Sequence, residues 1–410
     1  MKIVFVNRFY APDHSATSQM LTDLAVALAA DGTDVHVVTS RLRYDDPADR
    51  LAPSETLDGV CVHRVRTTSF GRGTLPGRAF DYASFYVAAS VRLLALLRRG
   101  DVVVAKTDPP LISVPVGWAG RLRGAWRVNW LQDVFPEVAA ELGMAVARGI
   151  LGRAATWLRD RSLREAAANV VIGARMRDRV AAQGVAPRRI AVIPNWADGA
   201  AVAPVPRDAN PLRADWGLAG KFVVGYSGNM GQAHEFLTIV DAAAALREDR
   251  DIVFLFIGGG AQKAVIAAAS AERGLANLLL KPYQPRDRLA HSLGAADVHL
   301  VTLRPELEGL IVPSKFYGIA AAARPAIFVG DPEGEIGSEV RAAECGRSVR
   351  QGDVAGLVAA IREMRDSAEV RERMGRNARR LFDDRYDKPM GVGKWRALLR
   401  AVAEGGPLPD

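Results

Sequence analysis

Short runs of Val, Ile and Leu return along the whole chain, each followed by a stretch of helical periodicity, and this alternation limits the possible folds more than any other feature. "KIVFVN" at Lys2 leads into "SQMLTDLAVALAADG"; "DVHVVTS", "VCVHRVRT", "DVVVAK", "RVNWLQ", "NVVIGA" and "IAVIPN" follow with helical stretches between most of them. Near-continuous apolar strands separated by helices fit a parallel sheet covered on both faces. After Asn195 the composition changes. "ADGAAVAPVPRDANPLRADWG" is rich in Ala, Pro and Asp and reads as a linker. A second series then begins: "FVVGYSG", "IVFLFIGGG", "NLLLKPY", "DVHLVTL", "PAIFVG" and "GRSVR". The pattern predicts an α/β protein of two tandem, Rossmann-like, doubly wound domains, residues 1–200 and 201–385, with a helix in 386–410 returning to the first. Ligands of such sheets bind beyond the carboxyl ends of the strands, so the expected site is a cleft between the two domains.

A length of 410 residues leaves room for two full cores. Two cysteines, Cys61 and Cys345, form neither a disulfide framework nor a metal cage, which points to a reducing compartment. Met1 runs straight into a strand, with no place for a signal peptide. The longest apolar stretch, Phe80 to Arg99, carries Asp81 and Arg92 and reads as an amphipathic helix rather than a membrane span. The net charge of +8 is uneven: residues 1–200 hold 26 Lys/Arg against 19 Asp/Glu, a net +7. A basic first half calls for an anionic surface or acceptor. No nucleic-acid motif stands out, whereas "GMAVARGILGRAATWLRDRSLREA" mixes five Arg with Leu, Ile and Trp157, the composition of an interfacial helix, or of an ordinary surface helix with solvated arginines. An anionic membrane surface is the expected partner, and the expected location is cytoplasmic, peripheral on the inner face of the plasma membrane.

Several stretches carry candidate chemistry. In "PELEGLIVPSKFYGIAAAARPAIFVG", Gly309 permits a tight turn, Pro313 fits a first helical turn, and Ser314 and Lys315 stand where free amides and a helix dipole attract anions. An ordinary cap with a solvated lysine is the plainer account. "VVGYSGNMGQAHE" follows a buried strand and is expected to open a helix; Gly225, Gly228 and Gly231 would let amides approach a phosphate, and His234 would donate to it or cap the helix. "FIGGGAQKAVI" lacks the dinucleotide-binding spacing and reads as a tight turn. "YAPDHSATSQM" places Asp13, His14, Ser15, Ala16 and Thr17 after the first strand, where small residues let a substrate approach, or where Ser15 or Thr17 merely caps a helix. "NWLQDVFPE" ends a strand with Asp133 and Glu137; Asp133 is a candidate catalytic or acceptor-facing group, or an N-cap. Histidines are scattered singly, "DRD" at Asp249 lies at a solvated turn, and no metal site is expected. Neither a nucleophile elbow nor a P-loop is present.

Taken together, these stretches resemble the retaining glycosyltransferases of family four, which have the GT-B fold. The resemblance spans nearly the whole chain and rests on "IAVIPNWAD", "IGGG", "AADVHLVTL", the Glu308-Gly309 pair, "ARPAIF" and "GEIGSEVRAAECGRSVRQGDVAGLVAAI". "YAPDHSATSQMLTDLAVAL", "QDVFPE" and "PSKFYGIAAAARP" are similar to one subgroup, the sugar transferases of cell-surface polysaccharide assembly (O-antigen and capsule), which includes N-acetylfucosamine transferases. The family pattern has a second glutamate where this chain has Gly318. It also has an Arg and a Lys near the positions of Asn229 and His234, and a first-domain His near Gln132. Lys315 is the obvious substitute for the missing cations.

The resemblance implies a retaining hexosyltransferase that moves a sugar from a nucleotide diphosphate-sugar, with a UDP-sugar of an N-acetylated hexosamine favoured, to a lipid-linked or saccharide acceptor. It implies Glu308 as the catalytic residue that meets the sugar, and Asp133 at its strand end is the second catalytic candidate. Donor contacts would come from Gly228, Asn229, His234, Pro282, Tyr283, Gly309, Leu310, Ser314 and Lys315, and acceptor contacts from Asp13, His14, Ser15 and Ala16. No cofactor, metal or nucleic acid is expected. Two other accounts fit the departures: a GT-B sugar-nucleotide epimerase, which needs no acceptor, and a non-catalytic subunit that binds UDP-sugar or lipid for a partner transferase.

Overall fold

The computed structural model describes every residue except 14, 44–49, 72–73, 145–146, 148 and 410. Contacts divide the chain into two units, Met1–Pro194 with Gly391–Asp410, and Asn195–Met390. The last helix, Lys388–Glu404, therefore starts in the second unit and runs into the first.

The strands of the first unit are β1 (Lys2–Val6), β2 (Asp34–Ser40), β3 (Ser54–Leu57), β4 (Val60–Val65), β5 (Val102–Lys106), β6 (Trp126–Trp130), β7 (Ala168–Val171) and β8 (Ile190–Val192). They form one sheet in the order β3-β4-β2-β1-β5-β6-β7-β8. The crossover from β1 outward to β2 and then back to β5 makes it doubly wound, and every pairing is parallel except β3 with β4. The antiparallel strand β3 is absent from the sequence expectation. Its signal was the Asp58-Gly59 pair, both residues at positive φ (48° and 81°), the geometry of a two-residue hairpin turn. "SETL" itself is too polar and too short to read as a strand.

The helix Leu75–Leu96 starts earlier than the sequence suggested, because Thr74 accepts a hydrogen bond from the Gly77 amide and Pro76 fits the first turn. Residues Pro76–Leu96 are long and apolar enough by composition to cross a membrane, with mean hydropathy 1.2. Asp81 shows what the helix does in this fold. Its buried carboxylate accepts from Thr68 Oγ1 (2.8 Å) and from the amides of Phe70 (2.9 Å) and Gly71 (3.1 Å), and it faces Arg8. One turn on and beyond, Phe85, Ala89 and Leu93 fill the first core with Val4, Val6, Val103 and Val116. The 3.6-residue period sets that inner face and leaves Phe80, Val87 and Val91 exposed.

The strands of the second unit are β9 (Phe222–Asn229), β10 (Ile252–Gly259), β11 (Leu278–Lys281), β12 (Val298–Thr302), β13 (Ala326–Gly330) and β14 (Gly346–Arg350). They form a wholly parallel sheet in the order β11-β10-β9-β12-β13-β14. The chain order reverses between β9 and β12, which makes the gap beyond their carboxyl ends the switch point of this sheet. Phe254, Phe256, Val298, Leu300 and Ile327 build its core. Asp297, buried just before β12, accepts from the Val223 amide (2.7 Å) and pairs with Arg213 (3.2 Å) and Arg207 (3.2 Å), tying the linker to the sheet.

Candidate functional site

At the switch point of the second sheet, Lys315 points at two side chains delivered by β9 and the loop behind it. Its Nζ donates to Tyr226 Oη at 2.6 Å and lies 3.2 Å from His234 Nε2. The same nitrogen sits 4.3 Å from the centre of the Tyr226 ring. His234 Nδ1 is 2.6 Å from the carbonyl of Thr302, and a carbonyl can only accept, so Nδ1 carries the proton and Nε2 is left to accept from the lysine. Tyr226 Oη in turn donates to the Asn229 carbonyl at 2.8 Å.

Charge at this cluster follows from burial. Desolvation pushes Lys315 down to about 7, and no carboxylate among the described residues pulls it back. Burial, then the neighbouring lysine, lower His234 to about 3, so its imidazole is neutral. Burial raises the Tyr226 phenol further. The result is a lysine that changes charge near neutral pH between two groups that do not.

The glycines divide into two kinds. Gly225 lies inside β9, where a Cβ would sit 2.5 Å from Ala296 Cβ, so it serves packing and not a ligand. Gly228, with φ +130°, lies where an added Cβ would meet Lys315 Cε at 3.5 Å. Gly258 pairs with it in register, with φ +142°, and any side chain there would collide with the Gly228 carbonyl. The Tyr283 ring covers Gly258 and Gly259 and is otherwise exposed, and Pro282 beside it is exposed too.

Three expectations about helix ends are corrected. "GYSGNMGQAHE" does not open a helix at its glycines; β9 runs through Asn229 and the helix starts at Leu237. Its entrance is already filled by a carboxylate, because Glu235 accepts from the Thr238 amide at 3.0 Å, so that terminus is spent on the protein's own anion. Pro313 precedes the next helix rather than lying in its first turn: Ser314 is the cap residue, exposed and without a side-chain capping bond, and the helix Lys315–Ala321 has seven residues. What can attract an anion here is the ammonium rather than a helix dipole. Gly309 makes the expected turn at φ +74°, but Leu310 is buried and its amide donates to the Leu307 carbonyl. Glu308 Oε2 accepts from the Glu335 amide at 3.1 Å, at the start of the helix Glu335–Ala342. Gly334 makes this possible, since a Cβ there would overlap the Glu308 carboxylate.

In the first unit, the loop after β1 is organised as a capped helix. Ser15 caps the helix Ala16–Ala30, accepting from the Ser18 amide, and buried Asp13 accepts from the Ser15 amide at 2.8 Å. His14 lies outside the described residues, as does the side chain of Ala16. Asp133 follows β6 and is not an N-cap; that position before Glu137 is held by Pro136, with no side-chain bond. Burial lifts Asp133 to about 6, partly offset by a hydrogen bond with Thr107. It lines a cavity of about 20 Å³ with Asn129, Phe135 and Arg159. Glu137 is engaged elsewhere, paired with buried Arg159.

Sequence reasoning missed Tyr226, Thr302 and Gln262. Gln262 Nε2 donates to the carbonyls of Gly231 (2.9 Å) and His234 (2.8 Å) and so fixes the loop that carries the histidine. A tyrosine within a buried strand and a glutamine after a turn have no local signature. It also missed Lys106, buried at the end of β5 with Nζ 3.4 Å from the Trp130 ring centre and its pKa lowered well below the usual lysine range by burial.

Residues 15–196 match the family model described as "Glycosyl transferase 4-like domain", and residues 208–381 match "Glycosyl transferases group 1". The chain is 27% identical over 351 residues to "Putative colanic acid biosynthesis glycosyl transferase WcaI" of Escherichia coli (strain K12), covering 82% of this chain and 85% of the relative. It is 29% identical over 313 residues to "Probable glycosyltransferase WbjE" of Pseudomonas aeruginosa, covering 76% and 78%. Among solved structures it is similar to HepE of Anabaena in complex with UDP, with a TM-score of 0.73 at 13% identity, covering 98% of this chain and 100% of that one. The tandem domains have the GT-B fold.

Proposed function

The chain is a glycosyltransferase whose two halves match the glycosyl transferase 4-like domain and glycosyl transferases group 1, and from that premise we propose that it moves a sugar from a UDP-sugar, with retention at the anomeric carbon, to a lipid-linked or saccharide acceptor in surface-polysaccharide assembly. The observation that carries this reading is Lys315, a lysine with no carboxylate partner among the described residues, parked on a phenol and a neutral imidazole at the switch point of the second sheet. A diphosphate is the counterion such a site lacks. The UDP bound by HepE and the colanic acid biosynthesis named for WcaI support the choice of nucleotide and of pathway class.

In this mechanism the Lys315 ammonium meets the charge that grows on the leaving diphosphate, and Gly228 keeps the approach free of a side chain. The exposed Tyr283 ring is the platform for the base. Glu308, held by the Glu335 amide, is the carboxylate assigned to the sugar, and Asp133, with a pKa of about 6, is suited to receive the acceptor's proton. An N-acetylated hexosamine is the proposed donor sugar. Retention is assigned to return on the same face, without a protein nucleophile.

A panel of nucleotide diphosphate-sugars tested for thermal stabilisation checks the donor assignment. At a ligand concentration of a hundred times Kd, the cognate donor should stabilise by about 2.7 kcal/mol. If no UDP-sugar raises the melting temperature while another nucleotide's sugars do, the nucleotide assignment fails. Turnover of donor without any acceptor would instead favour the epimerase account.

We also propose peripheral attachment to an anionic membrane through the helix Ile150–Glu165. Ile150, Leu151, Trp157 and Leu158 are exposed on it, with Arg153, Arg161 and Arg164 exposed beside them and Arg161 stacked over Trp157. Arg159 belongs to the opposite, buried face. Binding to anionic vesicles should weaken steeply as salt is raised, and Arg153→Glu with Arg161→Glu should weaken it further. Binding indifferent to salt and to both changes would remove this part of the proposal.

A further inference from the structure

Substrates of the first domain are expected at the carboxyl ends of its strands, yet a wide groove lies at the opposite ends of three of them. The groove has a volume of about 1150 Å³ and is lined where β6, β7 and β8 begin, by Trp126, Arg127, Ala167 and Ile190. We propose that this groove is a second ligand site of the protein, separate from the transferase centre, and that it binds a phosphate-bearing molecule.

Charge is the first reason. Arg121, Arg127, Arg164, Arg188, Arg189 and Lys394 converge on the groove from five separate segments of the chain. The lining also includes Arg177, which is paired with Asp178 outside the lining, and, among the described residues, a single carboxylate, Glu165. Glu165 is already shared between Arg161 (2.8 Å) and Arg121 (3.9 Å). Buried arginines elsewhere in this unit face carboxylates, as Arg8 faces Asp81 and Arg159 faces Glu137. In the groove, half-buried Arg127 and Arg189 and exposed Arg164 are held by backbone carbonyls instead. Arg127 donates to Ser162 O (2.6 Å), Arg164 to Gln183 O (3.2 Å), and Arg189 to Arg164 O (2.5 Å). Carbonyls satisfy the donors and orient the forks, and Glu165 alone among the described lining residues offsets the positive charge, which leaves an excess that phosphate oxygens complete.

The second reason is that the fold makes room for one of these cations. Gly117 sits within the helix Ser113–Arg123, where glycine is unfavourable. A Cβ at Gly117 would overlap the Arg127 guanidinium, so only glycine allows that arginine to lie there. Burial lowers Arg127 to about 10; Glu165 opposes the effect and Arg121 adds to it, and the net cost of holding the charge is one that an anion would relieve. Half-exposed Trp126, together with Val402, Leu408 and Pro409, gives the groove an apolar side. Either a soluble phosphate compound or the phosphate of a lipid headgroup has the required chemistry.

The test uses the full chain and titrates inorganic pyrophosphate by calorimetry into wild type, Lys315→Ala, and the pair Arg188→Glu with Lys394→Glu. Both groove positions are exposed, so the pair should keep the wild-type circular dichroism spectrum. Binding that survives Lys315→Ala but weakens at least about tenfold in the pair is the expected result. Equal binding in wild type and the pair, or no binding left once Lys315 is removed, overturns the proposal without touching the transferase assignment. Flotation with phosphatidylglycerol and phosphatidylcholine vesicles then separates the sources. Loss of phosphatidylglycerol binding in the pair, with Arg153 and Arg161 intact, identifies a lipid headgroup; loss of pyrophosphate binding alone identifies a soluble ligand.

Discussion

Lys315→Ala is expected to lower the single-turnover rate of sugar transfer about ten- to hundredfold and to weaken nucleoside diphosphate binding as well. A charge-assisted contact in a desolvated site is worth roughly 1.5–3 kcal/mol, and each 1.36 kcal/mol or so is a factor of ten in rate. The rate should fall more than the affinity, because diphosphate charge grows as the glycosidic bond breaks. Removing the ammonium leaves Tyr226 and His234 bonded to Asn229 O and Thr302 O, so the fold should persist. Lys315→Arg should rescue only in part, since a planar fork does not fit between a phenol and an imidazole as a point charge does. Wild-type rate and affinity in the Ala variant would mean that the lysine is not the diphosphate contact.

The second large effect is on pH. Lys315 has a folded-state pKa of about 7 against an ordinary 10.5, lowered by burial. A diphosphate needs the ammonium, so above about pH 7 each binding event must take up one proton. Donor affinity should be flat below that pH and fall toward tenfold per unit above it, about fiftyfold between pH 7 and 9. A nucleotide diphosphate-sugar is the appropriate probe, because its phosphates are fully ionised throughout. His234 stays neutral across this range, as does Tyr226, so neither supplies a competing transition. Lys315→Arg should abolish the slope. The ligand-free protein carries the opposite sign: the folded state binds fewer protons than the unfolded between about 7 and 10.5, so this group's contribution to stability rises with pH across that window. An affinity slope unchanged in the Arg variant would assign the titration to another group.

The strand runs of the sequence correspond to the parallel strands of both sheets, because a strand buried on both faces must be apolar along its length. What escaped was β3, an edge strand with one partner and no such demand, visible only as the Asp58-Gly59 turn that makes it. The sequence also marked Lys315, Gly228 and His234 as neighbours of a phosphate, from residue types that suit the chemistry. It could not show that they touch: 81 positions separate Lys315 from His234 and 89 separate it from Tyr226, and only the switch between β9 and β12 brings those segments to one place. Nor could it say which helix ends were free. Glu235 and Glu308 lie at two of them, and a carboxylate in the sequence does not reveal whether it awaits a substrate or caps a helix. Local composition determines strand, helix and the kinds of groups on hand. Whether a lysine is charged, or a glycine serves a ligand or a neighbouring strand, depends on burial and on partners distant in the chain, and those exist only once the sheets have formed.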